Sequence, residues 1–275
     1  KLKKYECSEV VYTELKLLGR RYRSYMEMHV KALLELTHVL DYVMPGIKNL
    51  FNSWTESNNR DKLCDFVERF WHYDLITAMS CDEFVKAYND WAEEKKYHQS
   101  NSKAVQVYEL ASNGIPTLSS SLPSTKMLVL EAIKTLRAID DSLFTILSRM
   151  KELAKSLPEY STVRAMGGVG DVLAPKLIAE IGDVRRLHSA KALIAWAGID
   201  PPPYESGQFV GSNRKISKKG SATLRKTGYE VMRVLKSHQA PKDCTVYNYI
   251  LKKEAEGKSK KQAKIAGLNK FLRIY

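Results

Sequence analysis

Residues 200–220 carry the side chains best suited to chemistry in this 275-residue chain. The run Asp200-Pro201-Pro202-Pro203-Tyr204-Glu205-Ser206-Gly207 leads through Gln208-Phe209-Val210-Gly211 to Ser212-Asn213-Arg214-Lys215-Ile216-Ser217-Lys218-Lys219-Gly220. Its prolines and glycines exclude a helix and predict an ordered loop, with the next helix starting near Ser221. The loop sets a serine beside a glycine and follows it with four cations: Arg214, Lys215, Lys218 and Lys219. Lysine offers phosphate a point charge and arginine a bidentate fork, so these residues are placed to hold a phosphate backbone. Arg225, on the following helix, is placed to reach back to it. A serine hydroxyl is a weak nucleophile without a base or metal to activate it. On residue type alone, a loop-capping role is the preferred reading of Ser206, and Ser212 and Ser217 are weaker candidates still.

A second chemical feature precedes the loop. Met166-Gly167-Gly168-Val169-Gly170-Asp171 is a glycine-rich turn feeding the apolar segment Val172–Gly182. Glycines at 168 and 170 let the backbone take positive φ and approach a phosphate, and the next helix presents unpaired amides at its start. The pattern looks like a helix-hairpin-helix element, with its second helix expected at about Ser189 to Ala197. A dinucleotide-binding reading fails, because no strand precedes the turn and G-x-G-x-x-G is absent.

The elements that must position these features are helical. Residues 8–44 read as one helix, capped by Ser8 and ended by Pro45-Gly46. Val11, Leu15, Leu18, Tyr22, Tyr25, His29, Ala32, Leu36, Val39 and Val43 alternate in steps of three and four, the spacing of a helix-packing seam. His29 stands alone on that seam and reads as a packed core histidine. Shorter helices are expected near 61–73, 81–95 and 103–113, with Trp54, Trp71 and Trp91 filling core. A second long helix is expected over 124–157, about 50 Å at 1.5 Å per residue. Its seam runs Val129, Ile133, Leu136, Asp140, Leu143, Leu147, Met150, Ala154 and Leu157. Asp140 interrupts it, and the Asp140-Asp141 pair reads as surface charge, since adjacent helical residues point in different directions. The fold class is therefore mostly α, with the long helices forming a helical hairpin within one chain or a coiled coil between two.

Composition suits a globular protein, at 44% hydrophobic and 27% charged residues. Cys7, Cys64, Cys81 and Cys244 are scattered without a C-x-x-C pair, which suggests reduced thiols rather than a disulfide framework or zinc site. No apolar run suggests a membrane span. The net charge is +13, and residues 201–275 hold 17 Lys and Arg against 5 Asp and Glu. So one-sided a block points to a polyanionic partner, and without a strongly apolar facing stripe that partner is nucleic acid rather than lipid.

The order G-V-G, A-E-I-G-D, A-W-A-G-I-D-P, Y-E-S-G, K-I-S-K-K-G and L-R closely resembles the Piv-type insertion-sequence transposases over about residues 160–275. The long helices resemble that family's helical linker more loosely. The family pairs a RuvC-like DEDD nuclease domain with a C-terminal domain bearing a nucleophilic serine, works as dimers that assemble into tetramers, and is guided by a structured RNA. By position, the resemblance implies Ser206 as the nucleophile, and DNA, guide RNA and further copies of the chain as partners in a bacterial cytoplasm. Mg²⁺ would be held by carboxylates that precede the first long helix in the family, and neither Asp82, Glu83, Asp140 nor Asp141 substitutes for them. Residues 1–157 are then expected to be a linker after a missing nuclease domain, and 158–275 the transposase domain. The chain by itself is expected to bind nucleic acid without a metal or cofactor and without completing strand exchange. The reading of another class is a non-catalytic helix-hairpin-helix module that only holds DNA.

Overall fold

The computed structural model describes residues 10–51, 61–202, 215–238 and 244–275, with the backbone of 205, 206, 209 and 210. Among them the chain is mostly α-helical, with one short antiparallel hairpin. It packs as two compact units, Tyr22–Thr145, and Lys1–Arg21 with Ile146–Tyr275. Packing thus divides the chain differently from its motifs, which change character at 157/158. Helix α1 (Val10–Val43) and helix α6 (Pro123–Lys155) each contribute to both units.

The helical seams read from spacing are the buried faces. On α6, Val129, Ile133, Leu136, Asp140, Leu143, Leu147, Met150 and Ala154 are all buried, as is Leu157 just beyond it. On α1 every seventh residue from Leu15 through Tyr22, His29 and Leu36 to Val43 is buried. The alternate positions Val11, Leu18, Tyr25 and Val39 are half-buried.

Within the unit Tyr22–Thr145, Asp140 is only 4% exposed, and its Oδ1 lies 2.6 Å from Nδ1 of His29. Asp140 is therefore not surface charge, and His29 is not alone. A helix turns by about 100° per residue, so Asp140 faces inward while Asp141 remains exposed. Removing one member of a buried polar pair strands the other. Asp140→Ala is expected to lower stability by about 3 kcal/mol, and Asp141→Ala by less than about 0.5 kcal/mol. Urea unfolding checks both, and equal effects would mean that the buried pair contributes nothing.

The shorter helices of this unit are α2 (Lys62–Arg69), α3 (Tyr73–Thr77), α4 (Cys81–Glu94) and α5 (Asn101–Asn113). The single helix expected over 61–73 is two, because the His72 side chain accepts from Asp74 N and starts α3 afresh. Asp61 caps α2, Ser80 and Glu83 form a capping box on α4, and Ser100 caps α5. The Phe66 ring packs among Phe51, Phe70, Tyr88 and Trp91, with centroids 4.8–6.0 Å apart. Trp91 fills core, Trp71 is half-buried, and Trp54 lies outside the described residues. Cys64, Cys81 and Cys244 are free thiols, and Cys7 lies outside the described residues.

The other unit holds α7 (Tyr160–Ala165), α8 (Leu173–Ile181), α9 (Ala190–Ala197), α10 (Ala222–Ser237), α11 (Thr245–Ala255) and α12 (Lys260–Ile274). Helix α10 packs on α8, α9 and α12, and α11 on α12. Glycines permit the closest approaches. A Cβ on Gly228 would stand 2.5 Å from Leu268 Cδ1, and one on Gly267 would stand 2.4 Å from Ile250 Cγ1. The start of α1 is tied into this unit by Tyr12 Oη donating to Glu159 at 2.7 Å and by an ion pair of Glu14 with Arg149 at 3.0 Å. A Cβ on Gly19 would meet Cβ of Ala179 at 3.4 Å, so α1 runs close against α8.

Candidate nucleic-acid interface and serine loop

The serine-bearing loop is closed at its base by main-chain pairing. Ser217 N donates to Asp200 O at 2.8 Å, Lys218 N to Gly198 O at 2.9 Å, and Ser221 N to Trp196 O at 2.7 Å. The Ser217 hydroxyl donates to the Asp200 carboxylate at 2.7 Å, which occupies this serine in anchoring the loop. Gly198 ends α9 in the left-handed region at φ 63°, and Gly220 lies against it. A Cβ on Gly220 would stand 2.2 Å from Trp196 O and 2.6 Å from Ala195 O. Only a residue without a side chain lets the returning strand touch the end of α9.

Inside this closed base, strand β1 (Glu205–Ser206) pairs antiparallel with β2 (Phe209–Val210), with Ser206 opposite Phe209. The backbone of Ser206 therefore stands at the tip end of a short hairpin. Its side chain, and all of Ser212 and Arg214, lie outside the described residues. Lys215, Lys218 and Lys219 are exposed on the returning strand, and Lys218 takes a left-handed conformation at φ 56°. Arg225 is engaged at the base of the loop. Its Nη1 donates to the carbonyls of Ala197 at 3.0 Å and Gly220 at 3.1 Å. Through Nη1 the guanidinium satisfies orphan carbonyls where α9 ends and clamps the loop base.

The glycine turn lies between α7 and α8 and feeds α8, the apolar helix expected after it. Helix α7 has only six residues, too few to show a periodic pattern, so the spacing concealed it. The expected helix after Ser189 is present as α9, with Ser189 as its cap. The two glycines singled out have separate roles. Gly168, at φ 80°, has α10 where a side chain would be: a Cβ there would stand 2.7 Å from Val231 O. Gly170 opens onto free space, with nothing within 4 Å of a Cβ. Among the described residues, the main-chain amides of Gly170, Asp171, Val172 and Leu173 meet no acceptor, and α8 has no side-chain cap. Consecutive free amides at a helix start attract anions. The Asp171 carboxylate does not oppose this alone. Arg164 beside it holds it below the usual carboxylate range through a side-chain hydrogen bond, with Lys151 and Lys155 adding positive potential.

Among the described residues, no three His, Cys, Asp or Glu side chains come together to hold a metal. No helix among them is long and apolar enough to cross a membrane.

The stretch containing the turn, the loop and α10 is similar to known transposases. Residues 160–248 match the family described as Transposase IS116/IS110/IS902 family. The chain is 27% identical over 143 residues to the pilin gene-inverting protein of Moraxella bovis, covering 50% of this chain and 44% of that one. It is 25% identical over 173 residues to the insertion element IS116 uncharacterized 44.8 kDa protein of Streptomyces clavuligerus, covering 63% and 42%. It is 29% identical over 89 residues to the transposase for insertion sequence element IS1111A of Coxiella burnetii, covering 31% and 23%. The chain spans less than half the length of these curated relatives.

Proposed function

We propose that this chain is the DNA-holding and serine-bearing part of a transposase or site-specific recombinase of an insertion element. The carrying observation is the closed loop base, in which Asp200, Gly198 and Trp196 pin a cation-bearing return strand beside the Ser206 hairpin. That loop falls inside the stretch matching the transposase family. The free amides after Gly170 grip backbone phosphate as a helix-hairpin-helix would, and Lys215, Lys218 and Lys219, with Arg214, hold the phosphates near the serine.

The reaction is a transesterification. The Ser206 oxygen attacks a DNA phosphorus, its proton passes to a base, and one ester bond to a deoxyribose oxygen breaks, leaving that oxygen as a hydroxyl. The phosphoserine conserves the bond, so the reverse attack by another strand end rejoins DNA without an external energy source. The carboxylate half of the site, with Mg²⁺, is supplied from outside the described residues, and a structured guide RNA and assembly into dimers or tetramers set where the reaction occurs. The test is to incubate the protein bearing both halves with its DNA and denature it. A DNA-linked band supports the proposal. Tight DNA binding with no such band leaves the holding-module reading in its place.

A further inference from the structure

Trp196, near the end of α9, is 36% exposed and is bracketed by cations from two other segments. Lys16 Nζ on α1 lies 5.5 Å from the ring centroid, and the guanidinium carbon of Arg186, after α8, lies 5.2 Å from it. The ring holds its own place through Nε1, which donates to Glu180 O at 3.3 Å. Arg186 spends one Nη2 bond on Ile181 O at 2.8 Å, which helps hold it beside the indole. Arg20, one turn along α1 from Lys16, is exposed and near enough to act on it.

This crowding is unfavourable as it stands. The ammonium of Lys16 loses protons more readily than usual, first because it is partly buried and then because Arg186 and Arg20 repel it. Two carboxylates are near: Glu180 keeps its charge and attracts Lys16, against three cations, and Asp183 is matched by Arg185. Glu180 accepts the Ser221 hydroxyl at 2.9 Å, and Asp183 pairs with Arg185 at 2.9 Å. Aromatic faces stabilise cations and hold them in place without neutralising them, so the cluster keeps a net positive field. An anion entering it gains from all three charges at once.

We propose that Lys16, Arg20 and Arg186, organised around Trp196, form a further phosphate-binding patch for the backbone of duplex DNA. The patch extends the DNA-facing surface from the serine loop to the beginning of α1. It is built from cations that belong to neither the basic C-terminal block nor the glycine turn. The choice of DNA rests on the function proposed above, but the patch stands apart from the Ser206 chemistry, so either can fail alone.

The test measures binding of a labelled duplex to the 275-residue chain across a salt series. Every phosphate that a variant leaves without its cation lowers the slope of log affinity against log salt by about one. Arg20→Gln, which disturbs no packed group, is expected to lower the slope by about one, and the combined Lys16→Gln, Arg20→Gln and Arg186→Gln variant by about two to three. Arg186 also supports the Ile181 carbonyl, so if the combined variant fails to fold, Arg20→Gln decides the matter. An unchanged slope overturns the patch. So does a change no larger than that from Lys134→Gln, an exposed lysine of the other unit, and so does a loss seen on structured RNA but not on duplex.

Discussion

Ser206→Ala is expected to abolish the DNA-linked form of the active protein, lowering its yield by at least about a thousandfold. Removing a nucleophile removes the covalent step itself, which residual binding and phosphate stabilisation cannot replace. The neighbouring serine in the described part of the loop is poorly placed to stand in, because the Ser217 hydroxyl is bound to the Asp200 carboxylate. Duplex binding, by contrast, should survive in Ser206→Ala, since the cations and free amides are untouched. Denaturing gels after incubation with DNA give the yield, and anisotropy gives the affinity. A yield equal to that of the unsubstituted protein would take Ser206 out of the reaction and return it to the loop-capping role that its residue type suggests.

The second large effect is on stability. Gly220→Ala is expected to cost about 3 kcal/mol or more and to disorganise the loop, because its Cβ would meet main-chain atoms of Trp196, Gly198 and Ala195 at 2.2–2.6 Å. Backbone cannot swing aside as the end of a flexible side chain can. Relief requires parting the return strand from α9, which breaks the bonds from Ser217, Lys218 and Ser221 to Asp200, Gly198 and Trp196. Arg225 would lose the Gly220 and Ala197 carbonyls in the same event. Gly170→Ala is the matched control: it meets open space and should leave the unfolding midpoint nearly unchanged. Chemical denaturation of the two variants measures the difference. If Gly220→Ala were as stable as Gly170→Ala, the closed loop base would not exist in solution.

Much of the helical framework was legible from spacing. Steps of three and four picked out a seam on α6 whose every member is buried, since burial on a long helix follows its own period. The capping residues Ser189 and Ser221 marked helix starts through bonds made within three residues. Short α7 had too few residues to show a period, and Asp140 was misread because its hydrogen-bond partner, His29, lies 111 positions away.

By itself, the sequence determined the helical class, the seams, the glycine turn, the loop and the concentration of positive charge after residue 200. All of these are local in the chain, set by residue period, turn chemistry and composition. The tertiary structure alone decided what each residue faces. It turned Gly168 toward α10 and left Gly170 open, set Arg225 Nη1 against the carbonyls at the end of α9, and brought Lys16 and Arg186 to Trp196. These assignments depend on packing between segments far apart in sequence. No local pattern encodes such packing, because it arises only when several helices bury their faces together.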